Sequence, residues 1–212
     1  MFENESFSIN PVHFFALSCD CRYLSKKEQI PSLTGYALPS TDHLTHEELF
    51  AKVAMGWNEE GISVHLQVNQ PATESFYPAL EKGDSVELFF DTRDLKSAGF
   101  NTRFSHHFFF LPQSIEGVSK GEKTHFRTED SHPLCDPQEL HCQTQLRKND
   151  YSMKIFISTQ CLYGYDPKQF DRLGFTYRIN RYEGEPQHFA VVSQDYQIDQ
   201  QPSLWGSIKL VK

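Results

Sequence analysis

Residues 57–68 read WNEEGISVHLQV. The second half alternates without a break: Ile62, Val64, Leu66 and Val68 fall on one side, Ser63, His65 and Gln67 on the other. A period of two marks a β-strand with one face in a core, because successive side chains point to opposite faces of the sheet. The link WNEEG is short, polar and closed by a glycine, as a hairpin loop is. It therefore predicts a partner strand just upstream, in FAKVAMGW (50–57).

The same logic extends outward. DSVELFFD (84–91) sets Val86, Leu88 and Phe90 opposite Ser85, Glu87 and Phe89. FSHHFFFL (104–111) becomes apolar on both faces, which predicts a central strand covered on both sides. ELHCQTQLRK (139–148) and YSMKIFIST (151–159) flank Asn149-Asp150, residue types that tolerate positive φ, and so predict a tight hairpin. VHFFALS (12–18), LGFTYRIN (173–180), HFAVV (188–192) and LWGSIKLV (204–211) complete the set. Thr45-His-Glu-Glu48 has the capping-box pattern that starts a helical turn. The regular spacing predicts an all-β fold, an antiparallel β-sandwich of about 9–10 strands. We expect one domain over residues 1–212, with a loop or excursion at 112–138, where Gly, Ser, Pro and charge accumulate.

Composition narrows the function. The 18 Phe and 9 Tyr predict a core built on aromatic rings, each of which removes roughly 150–250 Å² from water when buried. A formal net charge of −8, with no basic run longer than Lys26-Lys27, excludes a nucleic-acid partner that needs a concentrated cationic face. No apolar stretch approaches the roughly 20 residues that span a bilayer, so no membrane partner is expected. The first residues, MFENESFSINPVHFFALS, lack a cationic segment ahead of an apolar one, and the expected location is cytoplasmic. Five cysteines (19, 21, 135, 142 and 161) are then read as reduced thiols.

Four short motifs now stand in order: Trp57-Asn58, Asp84-Ser85-Val86-Glu87-Leu88-Phe89-Phe90-Asp91, Leu173-Gly174-Phe175 and Trp205-Gly206-Ser207-Ile208. Together they resemble the family 9 carbohydrate-binding modules and their related sandwich domains, from about residue 50 to the end. The chain also resembles bacterial proteins that share the DTRD and RF-x-H-x-F elements, from which no activity follows. The resemblance implies a sugar stacked between two Trp rings and held by a Glu, matching Glu87, and by an Arg on the following strand, near Arg103 to His107. Both stacking Trp residues are missing here. The place of the first is close to Glu81, with Tyr77 the nearest aromatic, and HFAVVSQD has none.

The residues themselves point to the same face. Glu87, Arg103 and one of His106 and His107 supply donors and an acceptor, Phe89 and Phe109 flat apolar surface, and His65 and Gln67 join from a neighbouring strand. Polar contacts beside an apolar platform suit a sugar or similar polar small molecule. The plain alternative is that Glu87 pairs with Arg103 or a histidine to satisfy a buried strand. Adjacent histidines face opposite ways on a strand, so only one of the two serves this site. Replacing Glu87 by Ala is then expected to abolish binding and leave the fold intact, or to unfold the protein if the residue is structural.

Other constellations are weaker. His65, Glu87 and His107 have the types of a two-His-one-carboxylate metal set, though no spacing requires one. His132-x-x-Cys135…His141-Cys142 departs from paired zinc spacings. Gly117-Val-Ser119-Lys-Gly121 matches G-x-S-x-G but has no strand leading in and no helix following. Asp91-Thr-Arg93-Asp94 reads as an arginine clamped by acids. The favoured reading is a non-catalytic module for a carbohydrate or similar polar small molecule, with no cofactor, no metal and no catalytic residue. A protein–protein interaction or scaffold domain with a protein partner comes next, and a metal-dependent hydrolase last.

Overall fold

The computed structural model describes residues 17–25 and 30–212. The strand expected at 12–18 lies outside these residues apart from Leu17 and Ser18, as does Lys26-Lys27. Eleven strands are present among the described residues: β1 (Ser18–Tyr23), β2 (Ala51–Asn58), β3 (Gly61–Val68), β4 (Ser85–Asp91), β5 (Ser105–Ile115), β6 (Val118–Glu122), β7 (Leu140–Leu146), β8 (Tyr151–Ser158), β9 (Arg172–Asn180), β10 (Gln187–His188) and β11 (Gly206–Val211).

They follow one hydrogen-bonded path, β6-β5-β4-β9-β11-β1-β2-β3-β8-β7, with β10 added to β9. All pairings are antiparallel except those of β1, which runs parallel to both neighbours. Ser18 to Arg22 pair with β11, and Arg22 and Tyr23 then pair with β2. This strand carries the ladder from one half of the fold to the other. At the far ends β6 and β7 approach, and Lys120 Nζ donates to the Leu140 carbonyl, so the sheet nearly closes.

The alternation read from the sequence sets what lies inside. Val64, Leu66 and Val68 of β3 meet Val86, Leu88 and Phe90 of β4 in one continuous core with Phe108 and Phe110 of β5. Phe90, Phe108, Phe110, Phe175 and Phe189 are fully buried, which confirms an aromatic core. The β2–β3 turn is Glu59-Glu60, pinned by Asn58 Oδ1 accepting from the Glu60 N–H at 2.9 Å. Gly61 then sits at φ 150°, and a Cβ there would lie 2.2 Å from the Ile157 carbonyl oxygen. Only glycine fits that approach.

Three local expectations are corrected. Residues 112–122 are not excursion: β5 continues to Ile115, turns through Glu116 (φ 50°) and Gly117 (φ 85°), and returns as β6. Two consecutive positive-φ residues make a tight hairpin that matches the twist of the strands. This places Gly117-Val-Ser119-Lys-Gly121 in a hairpin, with no nucleophile turn. The Thr45–Glu48 pattern starts no helix; a short helical turn, Asp42–Thr45, ends there, with His46 left-handed at φ 56°. Arg93 is not clamped by acids either. It donates to the carbonyls of Thr92 and Gly164 and lies over the rings of Phe104 and Phe170, while Asp91 accepts the N–H groups of Arg93 and Leu95.

The cysteines depart from expectation as well. Cys135 and Cys161 form a disulfide, 26 residues apart in sequence, which pins the loop after β6 to the turn after β8. Cys19, Cys21 and Cys142 are free thiols. Burial pushes Cys19 up to about 11 and Cys142 up to about 11, which leaves both thiols protonated and unreactive near neutrality.

Candidate functional site

The core takes one face of β4, β5 and β9. The other face carries Ser85, Glu87 and Phe89 from β4, His107, Phe109 and Leu111 from β5, and Thr176, Arg178 and Asn180 from β9. In the ladder, Glu87 lies between Phe109 and Arg178, and Phe89 lies between His107 and Thr176. The sequence period therefore sets which residues share this face, and strand register sets which of them touch.

Glu87 is fully buried and well supplied with donors. Arg178 reaches Oε1 through Nε and Nη2, both at 2.7 Å, and Asn180 Nδ2 donates to the same oxygen at 2.8 Å. His107 Nε2 lies 2.8 Å from Oε2. Burial alone would raise the Glu87 pKa. The His107 hydrogen bond and the Arg178 charge outweigh it and hold the carboxyl below the usual carboxylate range. Burial lowers the His107 pKa against the pull of Glu87, so a neutral ring donates from Nε2. The cluster is thus an ionised carboxylate, a guanidinium and a neutral imidazole, with no net charge.

Two small apolar clusters flank it. Phe89 packs with Val191, Ile198 and Trp205 on one side. Leu80, Phe109 and Leu111 pack on the other. The Tyr77 ring stacks on Phe109 with centroids 5.3 Å apart, and Tyr77 is 46% exposed. These two rings form one wall of a cleft of about 580 Å³ that runs along β6, past Ser119, Gly121 and Gln138. Gly121 faces Phe109 across the strand pair, and a Cβ there would come within 2.8 Å of the ring. The glycine lets the ring lie flat against the hairpin.

The sequence profile of the family described as carbohydrate family 9 binding domain-like matches residues 27–212. The chain belongs to this family. Comparison with curated proteins finds no match. Among solved structures, this family 9 domain is similar to a carbohydrate-binding module of family 9 from Caldicellulosiruptor kristjanssonii. In complex with cellotriose that module shows 18% identity over 91% of this chain and 93% of that one, with a TM-score of 0.62. In complex with glucose it shows 17% identity over 92% and 95%, with a TM-score of 0.64. A Bacteroides uniformis protein described as carbohydrate-binding shows 8% identity over 92% and 99%, with a TM-score of 0.57.

Within this family 9 domain the expected site residues separate into two groups. Glu87, His107, Phe89 and Phe109 share one face. Arg103 does not join them; it sits at an exposed turn and pairs with Asp130. The arginine that meets Glu87 is Arg178, 91 residues away in sequence, which no local spacing could reveal. His106 faces the opposite way and bonds to Glu122 at 2.9 Å. His65 and Gln67 lie on β3, far along the ladder from β4. Gln67 donates to Asp150 at 2.9 Å, and His65 pairs across the sheet with Lys154. The metal set of His65, Glu87 and His107 is therefore not assembled. Nor is the set built on His132, Cys135, His141 and Cys142, since Cys135 is in the disulfide.

A further trio was not foreseen. His188 Nδ1 lies 2.5 Å from Glu47 Oε1, and its Nε2 lies 2.8 Å from Ser193 Oγ. The order resembles a serine-hydrolase relay. The same Nε2 also accepts the Ser193 N–H at 3.2 Å, and Glu47 Oε2 accepts the His188 N–H at 2.8 Å. Those backbone bonds make the trio a brace that folds the 188–193 turn onto the 41–47 segment.

The pKa of Glu87 predicts an acid limit. Its folded value lies below its unfolded one, so its contribution to stability is present above roughly pH 4.3 and is lost as pH falls toward the folded value. Asp91, raised by burial, works in the opposite direction. Thermal midpoints measured between about pH 7 and pH 3 should fall on the acid side. Glu87→Gln should flatten that fall, and an identical slope in the variant would show that Glu87 does not carry it.

Proposed function

We propose that this domain binds a carbohydrate, or a polar small molecule with sugar-like hydroxyls, without acting on it. The ligand sits in the cleft walled by Tyr77 and Phe109. The observation that carries this reading is the exposed Tyr77 ring, stacked on Phe109 in a cleft whose polar lining includes Ser119, Lys120 and Gln138. An aromatic platform next to fixed polar groups is what a ring of C–H and O–H groups needs. The cleft volume lies within the range of small-molecule sites. Structures of the family 9 module from Caldicellulosiruptor kristjanssonii with cellotriose and with glucose support the same class of ligand.

In this reading Tyr77 replaces the missing Trp as stacking ring. Glu87 is fully buried, lies across the ladder from Phe109 and does not line the cleft; it holds Arg178 and Asn180 in place and is not itself the contact. The Cys135–Cys161 bridge supports an oxidising compartment over the cytoplasmic location that the sequence favours. A protein partner is the second proposal, supported by an apolar cleft of about 270 Å³ lined in part by Leu33, Leu38 and Leu49.

Calorimetric titration with glucose and cellotriose tests the first reading. Tyr77→Ala should weaken binding by about tenfold, equivalent to about 1.4 kcal/mol, because it removes one stacking face. Its thermal midpoint should stay near that of the parent, since the side chain is 46% exposed. Equal affinity in parent and variant would move the ligand away from this cleft.

A further inference from the structure

His106 points away from the Glu87 face and into a second buried polar cluster. His106 Nδ1 and His132 Nε2 each lie 2.9 Å from Glu122 Oε1. The three ligand atoms fall within 4.8 Å of one another. His106 comes from β5, Glu122 ends β6, and His132 lies in the loop that follows. The side chains of His106 and Glu122 are fully buried, and that of His132 is 2% exposed.

Counting donors shows that this cluster does not close on itself. His132 Nδ1 lies 2.7 Å from the Arg103 carbonyl, which can only accept, so Nδ1 carries the proton. In a neutral ring Nε2 then presents a lone pair, and it faces a carboxylate oxygen that also only accepts. Glu122 Oε1 already accepts the Thr124 hydroxyl at 2.7 Å, and Oε2 accepts the Cys135 N–H at 2.7 Å. His106 has the matching problem. If its Nδ1–H donates to Glu122, its buried Nε2 carries a lone pair that makes no hydrogen bond of normal geometry and faces the Tyr163 carbonyl, which also only accepts. If the proton moves to Nε2, a second lone pair faces the carboxylate. A cation between the three groups removes both conflicts.

We propose that His106, Glu122 and His132 bind one divalent transition-metal ion of the zinc type, which ties β5, β6 and the 123–136 loop together. Two imidazoles and a carboxylate suit such an ion, whereas calcium and magnesium prefer sets made of oxygen alone. The surroundings are those of a prepared site. The Arg103 carbonyl fixes the His132 tautomer with Nε2 free to ligate, as outer partners of metal-bound histidines do. Tyr163 stacks parallel to the His132 ring at 5.8 Å and Phe126 meets it edge-on at 4.9 Å. The Cys135 N–H holds the second carboxylate oxygen, and the disulfide to Cys161 anchors that backbone. The fourth position falls to a water or to the Thr124 hydroxyl. The cleft along β6 reaches Glu122 and Cys135 and offers a route of approach.

The test uses the untagged full chain. Elemental analysis after dialysis against zinc should give one equivalent, and titration with Co²⁺ should produce the intense visible bands of a four-coordinate site. Glu122→Gln and His132→Gln should each weaken zinc binding about 100-fold or more, since even outer-shell changes cost 10–100-fold. His65→Gln, on the opposite half of the ladder, should bind as the parent does. Parent protein that takes up zinc no better than Glu122→Gln would overturn the proposal and leave an extra proton on His132 as the bond that closes the cluster. If the ligand variants do not fold, the parent decides alone: less than stoichiometric zinc together with weak, six-coordinate Co²⁺ bands overturns it.

Discussion

Glu87→Ala should cost the fold on the order of 3–5 kcal/mol, the range for removing one partner of a buried ion pair. The carboxylate accepts from Arg178, Asn180 and His107 at 2.7–2.8 Å. Without it a largely buried guanidinium loses its counter-charge, and two further donors lose their acceptor. In a domain of this size each kcal/mol moves the thermal midpoint by roughly 2–4 °C, so a drop of about 10 °C is expected. Any loss of sugar binding would follow from disorder around Arg178 rather than from a lost contact. An unchanged midpoint would mean that the carboxylate is accessible and free for a ligand. Glu87→Leu combined with Arg178→Met should recover part of the loss, because an apolar pair of similar volume leaves no unpaired charge.

Phe90→Ala should be equally damaging, at about 3–5 kcal/mol. Phe90 is fully buried, and its ring lies 4.9 Å from that of Phe175 and 6.3 Å from that of Phe108. It stands on the middle strand of the β5-β4-β9 set, where three rings from three strands meet. Truncation leaves a void that flanking backbone, held by ladders on both sides, cannot collapse into. Phe100, 40% exposed, offers the contrast: its change to Ala should stay within about 0.5 kcal/mol. Urea titration of both variants would check the pair. A small effect at Phe90 would show that the core under the site is loosely packed.

The position of the acid limit and the loss of sugar affinity in Tyr77→Ala read different parts of the same face. The first reports the buried half of the Glu87 cluster. The second reports the exposed aromatic wall. A protein that showed the acid limit but no dependence on Tyr77 would have the scaffold of the family and a different ligand surface.

Much of the fold was legible in the sequence, and so was half of the candidate site. The alternation of GISVHLQV and DSVELFFD fixed which side chains enter the core, since a strand has only two faces. It put Glu87 and Phe89 on the side opposite Val86 and Phe90, and it split His106 from His107. Turn chemistry located the β2–β3 and β7–β8 hairpins. β6 was missed because VSKGE carries no apolar alternation; it is an edge strand that gains its structure from pairing with β5. β1 was missed for a similar reason, since its parallel pairing with β11 and β2 is set by distant strands.

What only the tertiary structure decided is which residues meet across long separations. Arg178 reaches Glu87 because β9 lies beside β4 in register, and Arg103, the nearer arginine in sequence, is left at an exposed turn. His132 reaches His106 and Glu122 because the loop after β6 folds back and is held by the Cys135–Cys161 bridge. Periodicity is a local property of the backbone and can be read along the chain. Partners 26 to 91 residues apart are chosen by strand order and register, which depend on the packing of the whole core.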